Sequence, residues 1–169
     1  MKVLVTGGCG FIGSHITDAL IGAGHEVVIA DNLSTGSLEN LNPKATLCQV
    51  DILSPEFEKV FEEHKPEVVY HEAAQIDIQK SIRETMFDAK TNILGTINVL
   101  TMVAKYHVKK IIYASSAAVY GNPEYLPVDE KHRVAPMSYY GISKHTPEHY
   151  IEVFAGIHGF QYTILRYAN

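Results

Sequence analysis

The stretch "KVLVTGGCGFIGSH", residues 2–15, most limits the folds open to this chain. An apolar run breaks into glycines and then resumes as a helix-compatible sequence. Gly7, Gly10 and Gly13 are spaced GxxGxxG, and Gly8, Gly10 and Gly13 also satisfy GxGxxG. Glycines here let the backbone turn tightly and approach a pyrophosphate. The last one lets the helix pack close to the strand, and the helix N-terminus then faces the anion. A glycine triad alone is weak evidence, because tight turns use glycine anyway. The context decides: a strand precedes, a helix follows, and a second strand begins roughly 20 residues on. Dinucleotide binding is the better reading than a structural turn.

The rest of the chain repeats the alternation. Apolar runs at 2–6, 26–30, 45–50, 67–70, 109–115 and 162–167 are separated by helix candidates at 11–23, 55–64, 84–107 and 138–157. Runs that are apolar throughout suit strands buried on both faces of a parallel sheet. Right-handed crossovers then give an α/β fold, a Rossmann-type doubly wound parallel sheet of order 3-2-1-4-5-6 with helices on both faces. The expectation is one domain, 1–169, that binds a dinucleotide. Its end at Asn169, directly after the sixth strand candidate, reads as truncation, with a substrate-binding region lying beyond.

Bulk properties exclude several classes. A net charge of −5 argues against a general nucleic-acid binder. No apolar run approaches the roughly 18–20 residues of a membrane span. The N-terminus enters a strand directly and does not read as a signal peptide. Cys9 and Cys48 lack CxxC spacing and read as free thiols of a reducing cytoplasm.

Asp31, in "IADNLSTG", falls where an acid accepts hydrogen bonds from the adenine-ribose hydroxyls. Its charge would repel a 2′-phosphate, which favours NAD over NADP. Asp31 and Asn32 also suit a simple turn. Asp51 is placed to meet the adenine edge, and could equally cap the helix starting near Pro55. "HEAAQ" (71–75) resembles HExxH but has Gln75 in the last position and follows a strand. His145 and His149, at i and i+4, could share a metal, but only Glu148 and Glu152 lie near as further ligands; no metal site is assigned.

"IIYASSAAVYG" (111–121) brings Ser115 and Ser116 to the carboxyl end of the fifth strand, the ligand-binding end of such sheets. "SYYGISKH" (138–145) places Tyr140 four residues before Lys144, so both share one helix face. Tyr139 points about 100° away. A phenol titrating near 10 is a poor base at neutral pH. An adjacent ammonium and a positive nicotinamide ring would favour the phenolate, and a drop of about 3 units needs roughly 4 kcal/mol. Pro147, inside the same helix, predicts a kink one turn past Lys144.

Together the glycine loop, "SSAAVYG", "YGISK" and the terminal "RYAN" resemble the extended short-chain dehydrogenase/reductase family, and within it the UDP-glucose 4-epimerase group of nucleotide-sugar epimerases. The resemblance covers the whole chain but only the N-terminal half of a typical member. It implies NAD as cofactor, with the pyrophosphate on Gly7, Gly10 and Gly13 and on the amides of Phe11 and Ile12. Asp31 and Asn32 would meet the ribose, Asp51 and Ile52 the adenine. Ala73, Ala74 and Gln75 would line the cleft, with Asn92 beneath the cofactor. Ser116 matches the catalytic serine, Tyr140 the base and Lys144 its modulator, which also bonds the nicotinamide ribose. Asn169 matches the asparagine that contacts the sugar nucleotide. Related dehydratases carry an acid after the serine; here Ala117 follows Ser116, leaving epimerisation or simple oxidation. The implied activity is 4-epimerisation of a UDP-hexose. The alternatives are UDP-glucuronate epimerisation, NAD-dependent sugar-nucleotide reduction, or a non-catalytic NAD-binding regulator, which would be expected to have lost Tyr140 or Lys144. Homodimerisation through helices 84–107 and 138–157 is also implied.

Overall fold

A computed structural model describes residues 1–168 of the chain. Six strands form one parallel sheet: β1 (Lys2–Thr6), β2 (Glu26–Asp31), β3 (Thr46–Gln49), β4 (Val68–His71), β5 (Lys110–Ser116) and β6 (Gln161–Tyr167), in the order β3-β2-β1-β4-β5-β6. Every pairing is parallel, with Val5 opposite Ile29 on one side of β1 and opposite Tyr70 on the other. The expected order and class are therefore those observed.

Side chains alternate across the sheet, so each face buries its own core. Val3, Val5, Val27 and Ile29 point to the face covered by α1 (Phe11–Gly22) and pack on Ile16, Leu20 and Ile21. Leu4, Val28, Val69 and Ile111 point the other way. They meet Phe57 and Phe61 of α2 (Phe57–His64), Val99, Leu100 and Val103 of α5 (Gly95–Lys105), and Ile151 of α6 (Tyr139–His158). Each fully buried Leu or Phe contributes about 1.5–3 kcal/mol, so this second face supplies most of the cohesion.

The helix expected at 84–107 differs in form. The helical run starts earlier, at α3 (Ile78–Arg83), where the Asp77 side chain accepts the Lys80 amide. It breaks at Glu84, restarts as α4 (Thr85–Ala89), passes through a π-helical turn at Lys90–Leu94 and continues as α5. The wide turn lets Asn92 reach inward, while the Thr96 hydroxyl bonds the Asn92 carbonyl at 2.6 Å. A Cβ at Gly95 would lie 2.6 Å from the Cδ1 of Ile52, so the glycine lets the Ile52 side chain pack directly on this helix.

α6 runs uninterrupted through the buried Pro147 to a left-handed Gly159. The Thr146 and Ser143 hydroxyls bond back to the carbonyls of Ile142 and Tyr140 and brace the turn that leads into the residue that cannot donate. Lys144 keeps its place four residues after Tyr140. Among the described residues, no helix is long and apolar enough to cross a membrane.

Candidate active site

The loop between β1 and α1 is closed by its own backbone. The Gly7 amide bonds Ala30 O, the Gly10 amide bonds Gly7 O, and Ser14 begins the helical ladder on Gly10 O. A Cβ at Gly13 would stand 2.2 Å from Gly7 O, and one at Gly7 2.7 Å from the Ala73 nitrogen. Gly10 is the N-cap and offers no side chain. The amides of Phe11, Ile12 and Gly13 therefore have no helical acceptor, and no acid occupies the first turn. An opening of this kind suits an anion.

Asp31, at the end of β2, is buried. Its two oxygens accept the amides of Cys9 (2.9 Å) and Leu33 (2.8 Å), which ties the glycine loop to the second strand and leaves a lone pair on each oxygen. Asn32 Nδ2 donates to Asp51 Oδ2 at 2.8 Å, so these two stand together at the edge beyond β2 and β3. Ile52 is different: its side chain belongs to the core, and only its backbone lies along that edge. Asn169 lies outside the described residues.

Two polar networks hold the middle of the cleft. In the first, Thr96 donates to Asn92 O and so accepts from His71 Nε2 (3.0 Å). His71 Nδ1 must then accept from the Thr6 hydroxyl (2.7 Å), whose oxygen receives the Ala73 amide at 3.3 Å. The neutral ring thus fixes Ala73 against Gly7. Burial, with Lys144 adding like-charge repulsion, pushes His71 down to about 3. His71 is a structural bridge and has no ligand role.

In the second network, Asn92 takes the Gln75 amide and shares its own two amide protons among Gln75 O, Asp88 and Ser143. Ser143 in turn donates to Tyr140 O at 3.0 Å. The Gln75 side chain is engaged with Asp77 and Asp88. Asn92 and Gln75 are therefore saturated by protein groups. They shape the cleft wall and locate Tyr140, and Ala73 and Ala74 remain partly exposed beside them.

The candidate catalytic residues lie where β5 meets the start of α6. Ser138 caps α6 by accepting the Gly141 amide at 3.0 Å, which sets the phase of the two tyrosines. Tyr139 is half exposed on the outside, whereas Tyr140 turns inward. A Cβ at Gly141 would sit 2.8 Å from Ala118 O, so glycine allows the helix start to dock on the turn after Ser116. The neighbouring serines divide. Ser115 is buried and donates to Glu148, whereas Ser116 accepts the Ala118 amide at 3.1 Å and lies beside the Tyr140 phenol.

Electrostatics differ from the sequence expectation. Burial raises the Tyr140 phenol above its usual range, Asp88 adds to this, and Ser116 pulls the other way. Lys144 is 4% exposed, and its ammonium lies 4.9 Å from the Tyr113 ring centroid. Burial brings it down to about 8 against the opposing pull of Glu72, Asp88 and Glu148. The polypeptide by itself therefore keeps Tyr140 protonated. Glu72, which sequence reasoning passed over, is also raised by burial and accepts the Tyr167 hydroxyl at 3.3 Å. Its signal was its position, one residue past the carboxyl end of β4.

The sequence matches the NAD dependent epimerase/dehydratase family over residues 3–169. A UDP-glucose 4-epimerase of Mycolicibacterium smegmatis is 35% identical over 175 residues, spanning 100% of this chain and 56% of that protein. The solved UDP-glucose 4-epimerase of Thermotoga maritima, with UDP-glucose, superposes with a TM-score of 0.97 at 47% identity, over 100% of this chain and 56% of that one. The Thermus thermophilus UDP-glucose 4-epimerase in complex with NAD gives 0.95 at 40% identity, over 99% and 55%. The chain spans about half the length of the curated relatives it matches. Fold, glycine cradle and these matches agree, and the chain belongs to the NAD dependent epimerase/dehydratase family.

Proposed function

We propose that this chain is the dinucleotide-binding half of an NAD-dependent nucleotide-sugar 4-epimerase acting on UDP-glucose, UDP-galactose or a close relative. One observation carries the reading: Ser116 lies beside Tyr140 at the carboxyl end of β5, with Lys144 buried one turn further along the same helix, in a chain similar over its whole length to UDP-glucose 4-epimerases.

The residues present fit NAD. The loop at Gly7, Gly10 and Gly13 and the free amides of Phe11 and Ile12 would take the pyrophosphate. Asp31 and Asn32 would take the adenosine ribose. The pair Asn32–Asp51, with the backbone at Ile52, would edge the adenine. Ala73 and Ala74 would form the wall, with Gln75 and Asn92 behind it. Lys144 would bond the nicotinamide ribose. NAD, when bound, would supply reversible hydride transfer and, in its oxidised form, a positively charged ring.

The chain's own residues then handle the proton. The Ser116 hydroxyl orients the C4 hydroxyl of the sugar, and Tyr140 takes its proton as C4 is oxidised to the ketone. When the ketose has presented its other face, Tyr140 returns the proton to the oxygen of the inverted alcohol. Burial raises Tyr140, so added positive charge, which an oxidised nicotinamide would supply, is what would lower its affinity for the proton. Ala117 offers no acid for water loss, which favours epimerisation over dehydration.

The reading extends to assembly. Exposed Met86 and Leu94 on one helical run, with Ile142, Val153 and Ile157 on α6, support a homodimer formed through these helices. The free thiols Cys9 and Cys48 support a cytoplasmic location. Asn169 would contact the sugar nucleotide.

The test is release of NAD on denaturing the complete protein, followed by an assay of UDP-galactose conversion. Tyr140→Phe should retain NAD and lose about 10²–10⁴-fold in turnover. Full activity in that variant would refute the role of Tyr140.

A further inference from the structure

His145 and His149 lie one turn apart on α6 with their Nε2 atoms 3.1 Å apart. Their ring centroids are 4.6 Å apart at an interplanar angle of 69°. The nitrogens are closer than the rings, so the two edges converge. Nitrogens about 2.0–2.1 Å from one ion stand about 2.9 Å apart at a right angle and about 3.4 Å at the tetrahedral angle. The observed separation falls between these limits.

The protonation of His145 is set by its neighbour. Its Nδ1 lies 3.3 Å from Oε2 of Glu148, a carboxylate that accepts only, so Nδ1 carries the proton and Nε2 the lone pair. Glu148 is 3% exposed and itself held by Arg166, with Nη2 at 2.6 Å, and by Ser115. A buried carboxylate behind a histidine is the arrangement that orients imidazole ligands in metal sites. A hydrogen bond from His149 to His145 has the same length. A cation bound here would take the place of that proton, which would move to Nδ1 of His149 as two waters left the ion. The described residues contain no group of three or more His, Cys, Asp or Glu able to hold an ion, so the other positions on a bound ion would be left to water.

We propose that His145 and His149 form a two-histidine site for a borderline divalent transition metal such as Ni²⁺, Cu²⁺ or Zn²⁺, which clips α6 across Pro147. Imidazole suits these ions, and Mg²⁺ or Ca²⁺ would demand oxygen ligands. The clip bridges the point where Pro147 leaves the Ser143 carbonyl without a helical donor. Through Glu148 it is tied to Ser115, next to Ser116, so the ion reinforces the helix that carries Tyr140 and Lys144.

The experiment is calorimetric titration of the tag-free, chelator-stripped complete protein with Ni²⁺, with Mg²⁺ alongside. His149 is exposed in the single chain, on the α6 face that also carries Ile142 and Val153, and His149→Gln is expected to fold normally by circular dichroism and to keep the parent's oligomeric state. The expected result is one Ni²⁺ per chain, affinity at least ten-fold weaker in His149→Gln and in His145→Gln, and a Ni²⁺-dependent rise in melting temperature that disappears in His149→Gln. Unchanged affinity in His149→Gln, absence of binding by the parent protein, or an equal response to Mg²⁺ overturns the proposal.

Discussion

Acidification should destabilise this protein through His71 before its carboxylates matter. The ring is 1% exposed, bonded to Thr6 on one side and Thr96 on the other, and faces Lys144 and Tyr113. Its folded value is depressed to about 3 from an ordinary 6.5. A depressed value means that the unfolded chain binds the proton first. The stabilisation is fully present above pH 6.5 and is lost as pH falls toward 3. The slope in that window is about 1.4 kcal/mol per pH unit, so roughly 2 kcal/mol is lost between pH 7.5 and 5. In a domain of this size that lowers the melting temperature by about 4–8 °C. The comparison is between the parent protein and His71→Gln, whose amide replaces the ring's donor and acceptor without titrating. Urea unfolding at pH 7.5 and pH 5 gives the free energies. The variant should start lower yet lose about 2 kcal/mol less on acidification. Equal losses in the two proteins would mean that His71 is not the buried neutral ring described.

Gly13→Ala places a methyl against Gly7 O and should abolish retention of NAD through purification, measured by absorbance after denaturation. Gly141→Ala pushes the start of α6 away from Ala118 O; turnover should fall at least ten-fold while NAD is retained, and an unchanged rate would show that the docking of this helix on the Ser116 turn is unimportant. Arg166→Leu strands the buried Glu148 carboxylate and should cost about 3–5 kcal/mol in denaturant unfolding, whereas Arg166→Leu with Glu148→Leu should recover much of that loss.

What could be read from the sequence was what is encoded locally. Six apolar runs and the glycine turn give the sheet, because strands buried on both faces need no partner to reveal them. Helical spacing separates Tyr140 from Tyr139 for the same reason. What was hidden depends on distant partners. The π-helical turn exists because Asn92 reads both backbone groups of Gln75, 17 residues earlier. The raised phenol follows from burial by elements far along the chain, and no i, i+4 rule contains that burial. Ser115 and Ser116 look alike in sequence; only the sheet shows that one serves Glu148 and the other faces Tyr140. The histidines of α6 were passed over for want of a third ligand, since the buried carboxylate behind His145 is visible only once Arg166 holds it.

The strand order has a consequence for synthesis on the ribosome. Of these six strands β1 emerges first, and it ends in the middle of the sheet, flanked by β2 and β4. Each later strand joins a free edge, β2 and β3 outward on one side, then β4, β5 and β6 outward on the other. None has to wedge between two strands already paired. The nascent chain can therefore bank each addition as it appears, and the cleft, whose parts sit at the carboxyl ends of successive strands, is assembled in the order in which it is translated. The glycine loop comes first and the Ser116–Tyr140 contact only after the edge at β4 has been covered.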